Sequence, residues 1–312
     1  MLTGFDFDAA LQAPFRMQPG LRALAPGADQ LTPIAPGSKH QREKLAVLSA
    51  TPAHALACVP GFDATPALHA LCAHAQKEHP LHLTWDGRRA TALQLGVAVE
   101  DGRVVATGSG VFGLGDEVPR CLALLPGAWR LAGMLALTFA EDLAIVDGQS
   151  ATVPWMAVAL PSRWAPQAKI GLHFTQIHAP VADNAVLLKA GEHLMRLVCG
   201  AVVYERFVWN VTGHPRLNAH PAVAADDPWL DLAFADGVNP SAWFRSERQS
   251  FLPLPHLQQA VFAIGVDCQP LATVIDSVLR AHRLREVVAS MSDDVLAYRG
   301  LVRVKAPLLA WL

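Results

Sequence analysis

The sequence predicts an α+β fold, an antiparallel sheet with flanking helices behind an extended N-terminal segment. Three observations carry this. An Asp147-Gly148 pair separates two apolar runs, 135–146 and 153–161, and a DG pair between such runs marks a β-hairpin. Further strand-like runs follow at 201–211, 244–254 and 260–268. Helical spacing shows at Pro66–Gln76, where apolar residues recur every three or four positions. Several antiparallel strands with flanking helices define the class.

Residues 1 to about 40 are rich in Pro and Gly and read as a lead-in that wraps the surface. Residues 41–80 read as helical. The glycines of 108–116, GSGVFGLGD, fit neither GxGxxG nor a P-loop ending in Lys-Ser/Thr, so this segment reads as a loop. Strands then dominate from 135 onward, with helices expected over 183–198 and 270–290. No internal repeat is present. The chain divides into an N-terminal wrapping segment with helices, 1–125, and a core, 126–312, forming one compact unit.

Composition bounds the function. The chain has 312 residues, 52% hydrophobic and 17% charged, with a mean hydropathy of +0.26. The low charge points to much buried surface or an adhesive interface, and not to disorder. A net charge of −2 without a basic block gives no support for nucleic-acid binding. No apolar run reaches the roughly 20 residues that span a bilayer, because Glu141 and Asp142 interrupt the nearest one. The acidic N-terminus lacks the basic region of a secretory signal, so a cytoplasmic protein is expected. The five cysteines, Cys58, Cys72, Cys121, Cys199 and Cys268, form no CxxC pair. A cysteine-held zinc or iron–sulfur cluster in this chain is therefore not expected. His69 and His74 are five apart and do not share a face as an i,i+4 metal pair would.

Three segments hold the candidate chemistry. Trp164–Val181 carries Lys169, His173 and His178, and Pro180 restricts the backbone just after His178. A histidine on a rigid loop can offer one ring nitrogen to iron and tie the other to a carbonyl, or it can simply be held by local hydrogen bonds. Tyr204–Leu217 places Arg206 on a strand, where it can meet a carboxylate or make a cross-sheet salt bridge. In Trp243–Pro255, Arg245, Glu247 and Gln249 fall on one strand face, and Ser246, Arg248 and Ser250 on the other. So many polar groups between apolar strands need partners, whether in a polar cavity or on an exposed face.

The ordered segments ALTFAEDLAIV, ALPSRWAPQAKIG, QIHAPV, ERFVWN, RSERQSFLPLP and AVFAIGVDCQPL resemble the haem-dependent oxidative N-demethylase family over about residues 130–275, and more loosely at FRMQPGL. The resemblance implies a PAS-like sheet holding haem b. The activity it implies is oxidation of a secondary or methylated amine, such as dimethylamine, by dioxygen with release of formaldehyde. Electrons would come from NADPH through FMN and [2Fe–2S] partner proteins. It implies His178 as the axial iron ligand, with His173 and His220 as rivals. Lys169, Arg206 and Arg245 would contact the cofactor, and Glu247 and Arg248 would serve in catalysis. Ser250, the RFVWN order and Ala182 depart from the family pattern and bear on which amine is accepted. The alternative is a haem-based oxygen or redox sensor or carrier without turnover.

Overall fold

The computed structural model describes residues 4–224, Trp229 and 241–312. In chain order, α1 (Phe7–Ala10) and β1 (Arg22–Ala23) lie in the N-terminal segment. α2 (Lys39–Ala50), β2 (Leu56–Cys58) and α3 (Thr65–Glu78) follow. Next come β3 (Leu83–Trp85), β4 (Arg89–Ala92), β5 (Val97–Glu100) and β6 (Arg103–Ala106). α4 (Glu117–Leu124) and α5 (Gly127–Thr138) lead into β7 (Glu141–Asp147) and β8 (Thr152–Ala157). α6 (Phe174–His178) and α7 (Ala185–Val198) precede β9 (Tyr204–Thr212), β10 (Trp243–Leu254) and β11 (Gln259–Pro270). The chain closes with α8 (Leu271–Val274), α9 (Val278–Ala289), α10 (Asp293–Tyr298) and α11 (Lys305–Trp311).

The α+β expectation holds. One sheet runs β1-β9-β10-β11-β7-β8-β2, and a smaller one runs β3-β4-β5-β6. Neighbouring strands of the larger sheet are antiparallel throughout. The expected hairpin forms between β7 and β8, closed by residues 148–151, where Ala151 takes φ 53.

Four expectations need correction. Residues 41–80 are not helical throughout, since the strand β2, Leu56–Cys58, separates α2 from α3. Residues 135–138 are the last turn of α5 and not a strand. Ala, Leu and Met are strong helix formers, and the run starts behind Pro126, which caps the helix. The strand begins only at Glu141. The expected helix over 270–290 is split into α8 and α9 by an extended break at Ser277, whose hydroxyl caps α9. The small sheet over 83–106 was not anticipated, since strands of three or four residues give no measurable alternation. The glycine loop is held against this sheet. Gly96, at φ 62, lies so close to it that a Cβ there would meet Gly108 O at 2.6 Å.

Each face of the larger sheet is covered. α2, α3 and α5 pack Leu48, Leu71 and Leu135 onto Leu143, Ile145 and Val261. α7 packs Met195 and Val198 against Met156 and Phe251. The C-terminal helices and α1 pack Leu284, Leu308 and Phe7 against Trp209 and Phe244. One charge pair is embedded among these layers. Lys44 is fully buried, with Nζ 3.2 Å from Asp142 Oδ1 and donating to Phe139 O and Glu141 O at 3.1 and 2.7 Å. Asp142 Oδ2 in turn accepts from Leu160 N–H at 2.7 Å. The buried acid thereby fixes the chain as it leaves β8, which positions the site below.

Candidate functional site

β9 and β10 build the floor. Their register sets Arg206 opposite Gln249, Val208 opposite Glu247 and Asn210 opposite Arg245, so these side chains share one sheet face. Over that floor lies a cleft of about 250 Å³, lined among others by Ser162, Asn210, Arg245, Glu247, Tyr298 and Arg299.

Arg245 is buried, and its donors are nearly all committed. Nε donates to Ser162 Oγ at 2.7 Å. The terminal nitrogens donate to Arg216 O, Leu160 O, Pro161 O and Leu217 O at 2.8 to 3.3 Å. One guanidinium therefore ties two loops to β10. Ser162 passes the constraint on, because its hydroxyl donates to Glu247 Oε1. Gln249 Nε2 donates to Glu247 Oε2 at 2.6 Å. The Glu247 carboxylate is thus held from both oxygens at the cleft wall.

Two cations face this carboxylate without pairing to it. Arg206 makes no ion pair among the described residues, and its Nε is out of solvent with no hydrogen-bond partner. Burial lowers its pKa, against the attraction of Glu247. Lys169 is likewise lowered by burial and opposed by Glu247, with its ammonium 4.4 Å from the centre of the Trp164 ring.

His178 ends α6. Its Nδ1 lies 2.8 Å from Phe174 O. A carbonyl can only accept, so Nδ1 carries the proton and Nε2 keeps its lone pair. No described residue hydrogen-bonds Nε2. The ring stacks on Phe174 at 4.0 Å. Burial pushes its pKa down to about 4; the Phe174 hydrogen bond opposes this, and the charges of Arg206 and Lys169 add to it. The imidazole is therefore neutral at pH 7, the form that ligates a metal. His178 does not itself line the cleft, and Arg206 and Lys169 connect it electrostatically to Glu247.

The rival histidines have other partners. His173 caps α6, its Nδ1 accepting from Thr175 N–H. His220 accepts at Nδ1 from Ala222 N–H and stacks on His54 at 4.4 Å, and its Nε2 is buried without a partner. Arg248 is not brought to the cleft. It lies on the opposite face of β10, where Nε donates to Glu205 Oε2 at 2.9 Å. Glu205 Oε1 accepts from Arg22 Nε at 3.0 Å, and Arg22 reaches Asp6 at 2.7 Å. This chain of charges fastens the N-terminal segment to the sheet.

Sequence reasoning missed four residues here. Ser162 was visible only inside the quoted PSRW turn, Asn210 only as a strand position, and nothing in the C-terminal sequence singled out Tyr298 or Arg299. The residues present fit a haem. A neutral histidine has an Nε2 with no described hydrogen-bond partner, and two cations without an ion pair among the described residues, Arg206 and Lys169, stand near it. Along the chain, the model of the family described as haem-dependent oxidative N-demethylase, alpha subunit-like, matches residues 124–309. That span contains His178, Lys169, Arg206, Arg245 and Glu247 together with the strands that carry them, and the chain belongs to this family.

Proposed function

We propose that the chain holds a haem b through His178 Nε2 and oxidatively demethylates a small secondary or methylated amine. The observation that carries the reading is the partnerless, neutral imidazole of His178, its other nitrogen fixed to Phe174 O. The order of the central strands supports a PAS-like sheet. Counted along the chain from β7, they lie second, first, fifth, fourth and third across the sheet, from β8 to β9. α6 and α7 fall between the second and third, on the face that carries His178.

Bound haem would supply dioxygen activation and the one-electron steps that oxidise an N-methyl group. Overall, amine, dioxygen, two electrons and two protons give the demethylated amine, formaldehyde and water. The electrons would come from NADPH through FMN and [2Fe–2S] partner proteins. Arg206 and Lys169 would contact the cofactor as cations, drawn to its negative edge. Glu247, held by Ser162 and Gln249, would attract the ammonium form of the substrate, orient it and take its proton. Arg245 has few free donors, so its part is to hold Ser162 and the two loops in place. Arg248, committed to Glu205, would act on the N-terminal segment and not on substrate. Among the described residues, no helix is long and apolar enough to cross a membrane. The five cysteines are free, which supports a reducing, cytoplasmic setting.

The test is spectroscopic first and catalytic second. The purified protein reconstituted with haem should show a Soret band, and His178→Ala should lose it while keeping the wild-type melting temperature within a few degrees. Normal haem content in that variant would sink the assignment. Formaldehyde release from methylated amines with a chemical reductant supports turnover. Reversible oxygen binding with no release from any amine would point instead to a sensor or carrier.

A further inference from the structure

Arg299 has no assigned role, and its surroundings are unusual for a surface arginine. Its guanidinium carbon sits 4.6 Å from the centre of the Phe15 ring and 4.9 Å from that of Trp209. One terminal nitrogen donates to Trp209 O at 2.6 Å. Its Nε is out of solvent with no hydrogen-bond partner, as is that of Arg206. No described carboxylate pairs with either arginine. Burial holds the Arg299 pKa down to about 10.

The two guanidiniums that lack an ion pair among the described residues border one place in the fold. The cleft over Glu247 is lined by Val208, Trp209 and Arg299. A second cleft of about 290 Å³, between residues 9–22 and β9, is lined by the same three together with Arg206. The clefts therefore meet along β9, and the junction carries two cations with donors to spare. A buried cation without a counter-charge is costly, and it is stabilised strongly by a desolvated anion. A ligand with two carboxylates and an apolar body suits this junction: the body lies over Val208, on the sheet face that carries Arg206, while the carboxylates meet the guanidiniums at the edge of β9 that β1 leaves uncovered beyond Glu205.

We propose that Arg299 and Arg206 together bind the two carboxylates of the porphyrin, with Arg245 excluded because its donors are used within the protein and Arg248 because it is paired with Glu205. This rests on the haem reading above. It adds a residue from the C-terminal helices to the site and makes the N-terminal segment part of its wall.

The experiment titrates the haem-free protein with haemin and with its dimethyl ester, in which both carboxylates are neutralised, and reads binding by absorbance. Wild type should bind the diacid at least about tenfold more tightly than the diester, as expected for lost charge-assisted hydrogen bonds. Arg299→Leu and Arg206→Leu should each weaken diacid binding about tenfold and leave diester binding unchanged. Arg299→Lys, which keeps charge and much of the stacking, should retain part of the preference. Equal affinity of wild type for both porphyrins overturns the pairing without touching the haem assignment, and needs no variant to fold. Equal loss of both ligands in Arg299→Leu overturns it by showing a packing role. Wild type binding neither porphyrin overturns the haem reading itself, and this pairing with it.

Discussion

Arg245 and Ser162 are joined by a 2.7 Å hydrogen bond from guanidinium to hydroxyl, and through it one strand residue sets the geometry of two loops and of the Glu247 carboxylate. Removing the guanidinium leaves the carbonyls of Leu160, Leu217 and Arg216 facing a void. Each unsatisfied buried group costs about 1–3 kcal/mol. Arg245→Met is therefore expected to destabilise the protein by about 3 kcal/mol or more, read as a drop in the urea midpoint. Arg245→Lys should rescue little of this, since one ammonium cannot span both loops as the planar fork does. Wild-type stability in either variant would show that the loops are held by something else.

Glu247 separates binding of the cofactor from handling of the amine. Its charge faces Lys169 and Arg206, so Glu247→Gln leaves both cations freer for carboxylates. Haem affinity should stay level or rise. kcat/KM for a methylated amine should fall at least about tenfold, as expected when a buried charge partner of the substrate is lost. A parallel loss of haem affinity would make Glu247 a scaffold residue and remove it from the catalytic assignment.

How much of this was legible in the sequence differs by scale. β9, β10 and β11 were readable because each runs nine residues or more, β9 with alternating side chains and β11 as a continuous apolar run. The small sheet was not, since β3 holds three residues. The start of β7 was misplaced because the apolar run from Leu135 to Leu137 suits a helix or a strand equally, and its place at the end of α5 comes from residues before it. Alternation split β10 into two polar faces, but it could not say which face meets the cleft. That depends on Glu205, Arg22 and Asp6, far apart in sequence, drawing Arg248 to the other side. His178 stood out as a histidine two residues before a proline. Its tautomer was not, because the partner is a backbone carbonyl and backbone carbonyls carry no sequence signal.

Arg248 offers a direct check on that division of faces. It is 8% exposed and Glu205 4%, and breaking a pair so buried costs about 3–5 kcal/mol. Arg248→Leu should lower the melting temperature and open the segment before β1 to limited proteolysis. Because that segment also walls the second cleft, haem affinity should fall with it, while the Soret position of the haem still bound, set by His178, should be unchanged. A shifted Soret band with an intact N-terminal segment would return Arg248 to the cofactor site.

Glu141 gives the pH dependence a sign. Burial raises its pKa above the usual carboxylate value, with the hydrogen bond from Thr32 N–H opposing that shift. The folded state thus holds a proton that the unfolded chain releases from about pH 4.5 upward, so this group's contribution is intact below that value. It is lost as the pH rises through the folded-state pKa. A glutamine has the same shape, still accepts from Thr32 N–H and carries no charge to bury. Glu141→Gln should therefore match wild type in stability at pH 4 and exceed it at pH 7, the gap opening as the pH rises between them. Denaturation midpoints measured across that range decide the matter. A variant less stable than wild type at pH 7 would mean that the Glu141 charge is needed by the neighbouring Lys44 ammonium, and that Asp142 alone does not balance it.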